Sequence, residues 1–191
     1  MALPLRKKFF LPQELNASEP PEFRGMRRDQ IKLMVTDKRT GTIEHTQFFH
    51  LDQFLKKCDI LILNNSRTIP ASARATITRK DIVIVEAVEI RFAKKIGNNA
   101  WEVLALHEDI ESGDVLNFSE GQLKGEISGR VEATPLWRVC FSQSEDRILH
   151  YLYQKGEPIR YEYMKHALDL NFYQTVYASV PGSVEMPSAG R

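Results

Sequence analysis

The residue pattern predicts a mixed α and β frame, built from both ends of the chain, enclosing an all-β segment of about seventy residues. Three observations carry this. Between residue 73 and about residue 142, short strand-like runs alternate with turn signals. Immediately afterwards, EDRILHYLYQK switches to a helical period. Before residue 73, strand, turn and helical patterns follow one another in an α/β fashion. With 191 residues, 42% hydrophobic and 27% charged, the chain can bury a sizeable core, and a wholly disordered or fibrous class is excluded.

Taken in order, Pro12, Pro20 and Pro21 break any long helix in the first thirty or so residues. IKLMVTD (31–37) reads as a strand, KRTG (38–41) as a turn and TIEHTQF (42–48) as the return strand, together a hairpin. LDQFLKK sets Leu51, Phe54 and Leu55 at helical spacing. The run ILIL (60–63), apolar at every position, suits a strand buried on both faces.

The runs ARATIT, IVIVEAVEIRF, WEVLALH, GDVLNF and WRVCF follow, separated by the turn signals GNN, SGD, SEG and SGR. Such spacing suggests a small barrel or sandwich. In the helix that follows, Ser142 and Glu145 have capping-box spacing, Ile148, Leu149 and Leu152 share a face, and Gly156 is a stop signal. Leu170, Tyr173 and Tyr177 suggest a second short helix, and PGSVEMPSAGR is turn chemistry.

Several function classes find no support. Lys and Arg number 26 against 25 Asp and Glu, so no global field announces a nucleic acid or membrane. No stretch approaches the ~18 consecutive apolar residues of a membrane span, and the N-terminal pattern is wrong for a secretory signal, which makes the cytoplasm the expected location. The five histidines show no ligand spacing, so no metal is expected, and neither GxGxxG nor a Walker A loop is present. Cys58 and Cys140 read as ordinary small buried side chains.

Two polar clusters could carry chemistry. In ILILNNSRTIPAS a strand runs into Asn64, Asn65, Ser66 and Arg67, the position beyond a strand end where ligands gather in α/β folds. Arg67 offers a planar fork of donors for a carboxylate or phosphate, while a strand-ending turn explains the same residues structurally. In NFYQTVYASVPGSVEMPSAGR, Tyr173, Gln174 and Tyr177 precede a loop with Ser183, Glu185, Ser188 and Gly190. Tyrosines can stack on a purine and Glu185 is a candidate general base, although Tyr173 and Tyr177 could equally pack one helix face. Arg24, Arg27 and Arg28 form a weak candidate for RNA phosphates, or a solvated charged stretch.

These clusters, with LPQEL, KLMVTDKRTGTIEHTQF and SGDVLNF in the same order, resemble the S-adenosylmethionine:tRNA ribosyltransferase-isomerases of queuosine biosynthesis over nearly the whole chain. The resemblance implies an α/β (mixed α and β) domain, residues 1–70 with 143–191, interrupted by an inserted small antiparallel β-barrel, residues 71–142. It implies transfer and isomerisation of the ribosyl part of S-adenosylmethionine onto 7-aminomethyl-7-deazaguanine at the tRNA wobble position, giving epoxyqueuosine, adenine and methionine. S-adenosylmethionine is then a substrate, no cofactor is expected, tRNA is the partner, and a monomer is expected.

Asn64, Asn65, Ser66, Arg67 and Pro70 match one family motif, and Tyr173 to Tyr177 with Pro181, Gly182, Ser183, Pro187, Ser188, Ala189 and Gly190 match another. Arg67, Tyr173 and Glu185 are the expected catalytic residues. Asn64, Asn65, Ser66, Gln174, Tyr177, Ser183, Ser188 and Gly190 are expected to bind substrate. Thr68 stands where the family usually has valine, Ser72 where it has arginine, Cys58 where it has a turn glycine, and Met186 where it has a small residue. The family runs on for roughly as many residues again. The expectation is therefore a divergent member or an N-terminal portion of one, this portion alone inactive. A paralogue binding RNA or S-adenosylmethionine without turnover is the alternative.

Overall fold

The computed structural model describes residues 10, 12, 15, 17–160, 164 and 166–187. The chain divides into two compact units, Met1–Leu61 with Tyr161–Ala167, and Ile62–Arg160 with Leu168–Arg191. In the first, β1 (Lys32–Thr36) and β2 (Ile43–Gln47) form the antiparallel hairpin that the pattern predicts, with Met34 opposite His45. Asp37 starts the turn, its Oδ1 accepting the Arg39 N–H at 2.7 Å and the Thr40 N–H at 3.2 Å. The helical segment lies slightly earlier than its apolar spacing suggests, as a 3₁₀ helix over Phe48–Phe54.

The second unit is centred on a closed barrel of six antiparallel strands. These are β4 (Ser72–Arg79), β5 (Ile82–Lys95), β6 (Ala100–Ala105), β7 (Val115–Phe118), β8 (Leu123–Arg130) and β9 (Trp137–Phe141). They close in the order β4-β5-β6-β9-β8-β7. Alternate residues point inward, and Ile77, Ile90, Phe92, Val103, Leu116, Phe118, Leu123, Ile127, Val139 and Phe141 fill the interior. The fold is thus mixed α and β with a small antiparallel barrel.

Aromatic rings supply the bulk of this core. Phe92 stacks on Phe141 with centroids 5.5 Å apart and meets Trp101 edge-on at 5.5 Å. Gly125 makes room for them, because a Cβ there would lie 2.5 Å from Val139 and 2.9 Å from the Phe141 ring. β8 went unread in the sequence because SEG and SGR resemble turns. Only the first is one: Ser128, Gly129 and Arg130 belong to the strand, with Gly129 opposite Arg138.

Helix α1 (Glu145–Lys155) docks Ile148, Tyr151 and Leu152 into the same core. The Tyr151 hydroxyl shares a 2.8 Å hydrogen bond with Ser119. Its N-cap is Ser144, without a side-chain cap, so the capping box read from Ser142 and Glu145 does not form. The Ser142 hydroxyl instead donates to the Lys124 carbonyl and to Gln143. Beyond Gly156, Glu157 exchanges backbone hydrogen bonds of 2.8 and 2.9 Å with Ser72, fastening the helix exit to the start of the barrel.

Two expectations fail outright. Residues 60–63 form no strand, and Ile60 and Ile62 are 86% and 89% exposed. Four consecutive apolar residues need cover on both faces, and even Leu61 and Leu63 are 58% and 50% exposed. Cys58 and Cys140 are both exposed rather than buried, Cys140 because it lies on the outward-pointing register of β9. No described helix is long and apolar enough to cross a membrane.

Candidate functional site

The two polar clusters, more than a hundred residues apart in sequence, meet in one small parallel sheet. The strand β3 covers Ser66–Thr68, so the chain becomes regular within the polar cluster and not in the apolar run before it. Its partner is β10 (Val180–Ser183), in a segment that reads as pure turn chemistry. Ser66 lies opposite Val180, Arg67 opposite Pro181 and Thr68 opposite Ser183. The register slips at Gly182, whose φ of +153° few other residues adopt readily. Pro181 has no N–H to donate, as befits a strand at an edge.

Thr68 is the hub. Its backbone N–H donates to Gln174 Oε1 at 2.9 Å, and Gln174 Nε2 donates back to the Thr68 carbonyl at 2.8 Å. The side-chain amide of Gln174 therefore acts as a one-residue strand on the edge of β3. The Thr68 hydroxyl donates to the Tyr173 carbonyl at 3.0 Å and reaches the Glu185 carbonyl at 3.5 Å. Thr68, Tyr173, Gln174 and Thr175 are all buried. Further along, the N–H groups of Ser179 and Val180 donate to the Asn65 carbonyl, the Ile69 N–H donates to the Ser183 carbonyl, and the Ser183 hydroxyl donates to the Glu185 carbonyl at 2.7 Å.

Of the expected residues, Asn65, Ser66, Arg67, Tyr173, Gln174, Ser183 and Glu185 thus belong to one hydrogen-bonded neighbourhood. Asn64 uses its Oδ1 on the Ser66 N–H at 2.9 Å, the turn-forming role weighed against ligand binding. Arg67 is exposed, and its guanidinium has no partner among the described residues. Tyr173 and Tyr177 do not share a helix face, since the short 3₁₀ helix Leu170–Tyr173 ends before Gln174. Ser188 and Gly190 lie outside the described residues.

The arginine cluster belongs to the unit Met1–Leu61 with Tyr161–Ala167. Arg27 pairs with Asp29 and Arg28 with Glu22, whereas Arg24 has no described partner. Among the described residues no group of three or more His, Cys, Asp or Glu could hold a metal ion.

Sequence reasoning missed Thr68 and Thr175 as members of the neighbourhood. Thr175 Oγ1 is buried with no hydrogen-bond partner among the described residues. In the sequence Thr68 is marked only as standing where the resemblance leads one to expect valine, and its link to Gln174 is made by its backbone. Ser72, where the resemblance leads one to expect arginine, donates its hydroxyl to Glu89 at 3.1 Å, and Arg91 donates to the same carboxylate oxygen at 2.7 Å. Burial would raise the Glu89 pKa. The hydrogen bonds from Arg91 and Ser72, with the charges of Arg91 and Arg74, outweigh it and hold the carboxyl below its usual range.

A family model described as "Queuosine biosynthesis protein" matches residues 6–191. The chain belongs to that family. Among curated relatives of this queuosine family, the S-adenosylmethionine:tRNA ribosyltransferase-isomerase of Carboxydothermus hydrogenoformans is 34% identical over 184 residues, covering 95% of this chain and 51% of the relative. The protein of the same name from Caldanaerobacter subterraneus is 36% identical over 185 residues, with the same coverage. A crystal structure of S-adenosylmethionine tRNA ribosyltransferase from Thermotoga maritima is 30% identical, with a TM-score of 0.38, covering 78% of this chain and 47% of that one. The chain spans about half the length of the curated relatives it matches.

Proposed function

We propose that this queuosine-family chain contributes the first half of a ribosyl-transfer site acting on S-adenosylmethionine and tRNA. The observation that carries the reading is the reciprocal Thr68–Gln174 hydrogen bonding, which fuses the two family motifs into one rigid element. Such preorganisation lets a site act on charge that develops only in the transition state. The reaction moves the ribosyl group of S-adenosylmethionine onto the aminomethyl nitrogen of 7-aminomethyl-7-deazaguanine at the wobble position and rearranges it to the epoxycyclopentanediol, with adenine and methionine departing. It needs a base for a proton beside the sulfonium, a group that steadies departing adenine, and a neutral amine.

In this reading the guanidinium of Arg67 grips the methionine carboxylate or a tRNA phosphate. Tyr173 and Tyr177 flank a purine, Glu185 accepts the proton, and Asn64, Asn65, Ser66, Gln174, Ser183, Ser188 and Gly190 hold the substrate. Arg24, Arg27 and Arg28 add phosphate contacts. The enzyme is cytoplasmic and works as a monomer, with no cofactor and no metal.

The test is adenine release from S-adenosylmethionine by a chimera joining this chain to the second half of the Carboxydothermus relative. Release dependent on tRNA bearing the aminomethyl base, falling at least tenfold in Arg67→Ala, is expected. No release with S-adenosylmethionine binding intact would overturn the reaction. That outcome would leave the second reading, a paralogue that binds RNA or S-adenosylmethionine without turnover, which serine at position 72, where the resemblance leads one to expect arginine, favours.

A further inference from the structure

Positive charge is unevenly placed along this chain. The unit Met1–Leu61 with Tyr161–Ala167 holds 12 Lys and Arg against 9 Asp and Glu, and the barrel unit holds 14 against 16. In the first unit, Asp29 and Glu22 engage Arg27 and Arg28. Lys32, Lys38 and Arg39 are exposed, and no carboxylate among the described residues pairs with them. All three belong to the β1–β2 hairpin.

Alternation sorts the two faces of that hairpin. Lys32, Met34 and Thr36 stand opposite Gln47, His45 and Ile43, so these six share one face, and all are exposed. Leu33 and Val35 stand opposite Thr46 and Glu44 on the other face, where only Glu44 is exposed. The carboxylate of Glu44 therefore lies on the face away from Lys32. Asp37, the hairpin's other acid, is spent on the turn, where its Oδ1 accepts the N–H groups of Arg39 and Thr40. The Gly41 N–H donates to the Asp37 carbonyl at 2.8 Å, and the Thr40 and Thr42 hydroxyls share a 2.8 Å hydrogen bond. Lys38 and Arg39 thus project from a tip whose backbone is fixed without the help of their side chains.

We propose that this hairpin is an RNA-binding ribbon, in which Lys38 and Arg39 at the tip and Lys32 at the base hold backbone phosphates of tRNA. At about 3.3 Å per strand residue, Lys32 lies roughly 20 Å from the tip. One carboxylate or one phosphate cannot span that row, whereas a nucleic-acid backbone carries a charge at every nucleotide along it. Between the cations, His45, Met34 and Ile43 offer surface against which unpaired bases can rest. Membrane attachment needs more buried apolar area than Met34 and Ile43 supply. The inference rests on the reading that this chain acts on tRNA, and it adds a contact site outside both family motifs. Phosphate contacts place the RNA and do not choose its sequence.

The test titrates an unmodified tRNA transcript into the 191-residue chain over a potassium chloride series, with fluorescence anisotropy as the readout. Replacing both tip cations, Lys38→Gln with Arg39→Gln, should weaken binding at least fivefold at low salt and reduce the slope of log K against log salt by at least one. Lys56→Gln with Lys57→Gln removes the same charge from exposed positions of the same unit and should change that slope by less than half as much. Urea midpoints, expected to be unchanged in both variants, separate lost contacts from lost folding. Equal losses in the two variants, an unaltered slope in the tip variant, or binding to phosphatidylserine vesicles in place of tRNA would each overturn the proposal and leave the reaction open. Absence of any tRNA binding would overturn it together with the reading of tRNA as substrate. Tip-dependent binding without adenine release from the chimera supports the ribbon and counts against the reaction alone.

Discussion

Gln174 does the work of a peptide group. Because its amide satisfies both the N–H and the C=O of Thr68 in a buried setting, Gln174→Leu leaves two backbone groups unpaired. The expected cost is about 3 kcal/mol, read as a lower urea midpoint with an unchanged slope. Gln174→Glu, whose carboxylate can accept from the N–H but faces the Thr68 carbonyl oxygen with a buried charge, should cost at least as much. Asp114 gives a second residue-scale prediction. Its carboxylate, 1% exposed, takes two hydrogen bonds from Arg79 and one from the Glu111 N–H. The Arg79 hydrogen bond outweighs the opposing effect of burial and holds the Asp114 pKa below its usual value. A carboxyl depressed in the folded state adds stability that is complete above its unfolded pKa of about 4 and is lost as pH falls through the folded value. Urea midpoints measured from pH 6 downward should therefore decline below about pH 4, and Asp114→Asn should lower the plateau and flatten that decline.

Elements differ in how far the sequence revealed them. The β1–β2 hairpin and α1 were legible, since alternation and the 3.6-residue period each point one way. The barrel was legible as a class, but β8 was hidden because its Ser and Gly imitate a turn. β3 and β10 could not be read at all. Each is only three or four residues long and held by a partner far away in sequence, so no local period exists to detect. The candidate site was legible as two separate motifs, while their union through Thr68 was not, because a side-chain amide standing in for a strand leaves no pattern. Glycine packing offers a test at this scale. Gly125→Ala would push a methyl into Val139 and Phe141 inside the barrel. A loss of about 1–3 kcal/mol is expected by overpacking, visible as a Tm lowered by several degrees. Gly156→Ala should cost more, since its Cβ would meet the carbonyl oxygens of Pro70 and Leu152 at 2.4 and 2.6 Å, and backbone yields less than a side chain.

For the whole molecule, charge balance limits how RNA can be held. With a formal net charge of +1, affinity for tRNA depends on a few local cations, and Arg27 and Arg28 are already engaged by carboxylates. Binding measured over a salt series should therefore give a slope of log K against log salt between about −1 and −3, shallow for a nucleic-acid binder. Arg24→Ala and Arg67→Ala should each reduce that slope by about one, and Arg27→Ala by less, because Asp29 competes with phosphate for its guanidinium.

The closure of the barrel has a kinetic meaning as well. Joining Thr68 to Gln174 directly from the unfolded chain closes a loop of 106 residues, at an entropic cost of about 4 kcal/mol. Once the barrel has formed and Ser72 has paired with Glu157, only the short arms before Ser72 and after Glu157 remain free. The remaining closure costs roughly 3 kcal/mol, and a search that was global becomes local. A barrel that supplies none of the side chains joined at Thr68 thus decides when, and how quickly, those side chains find each other.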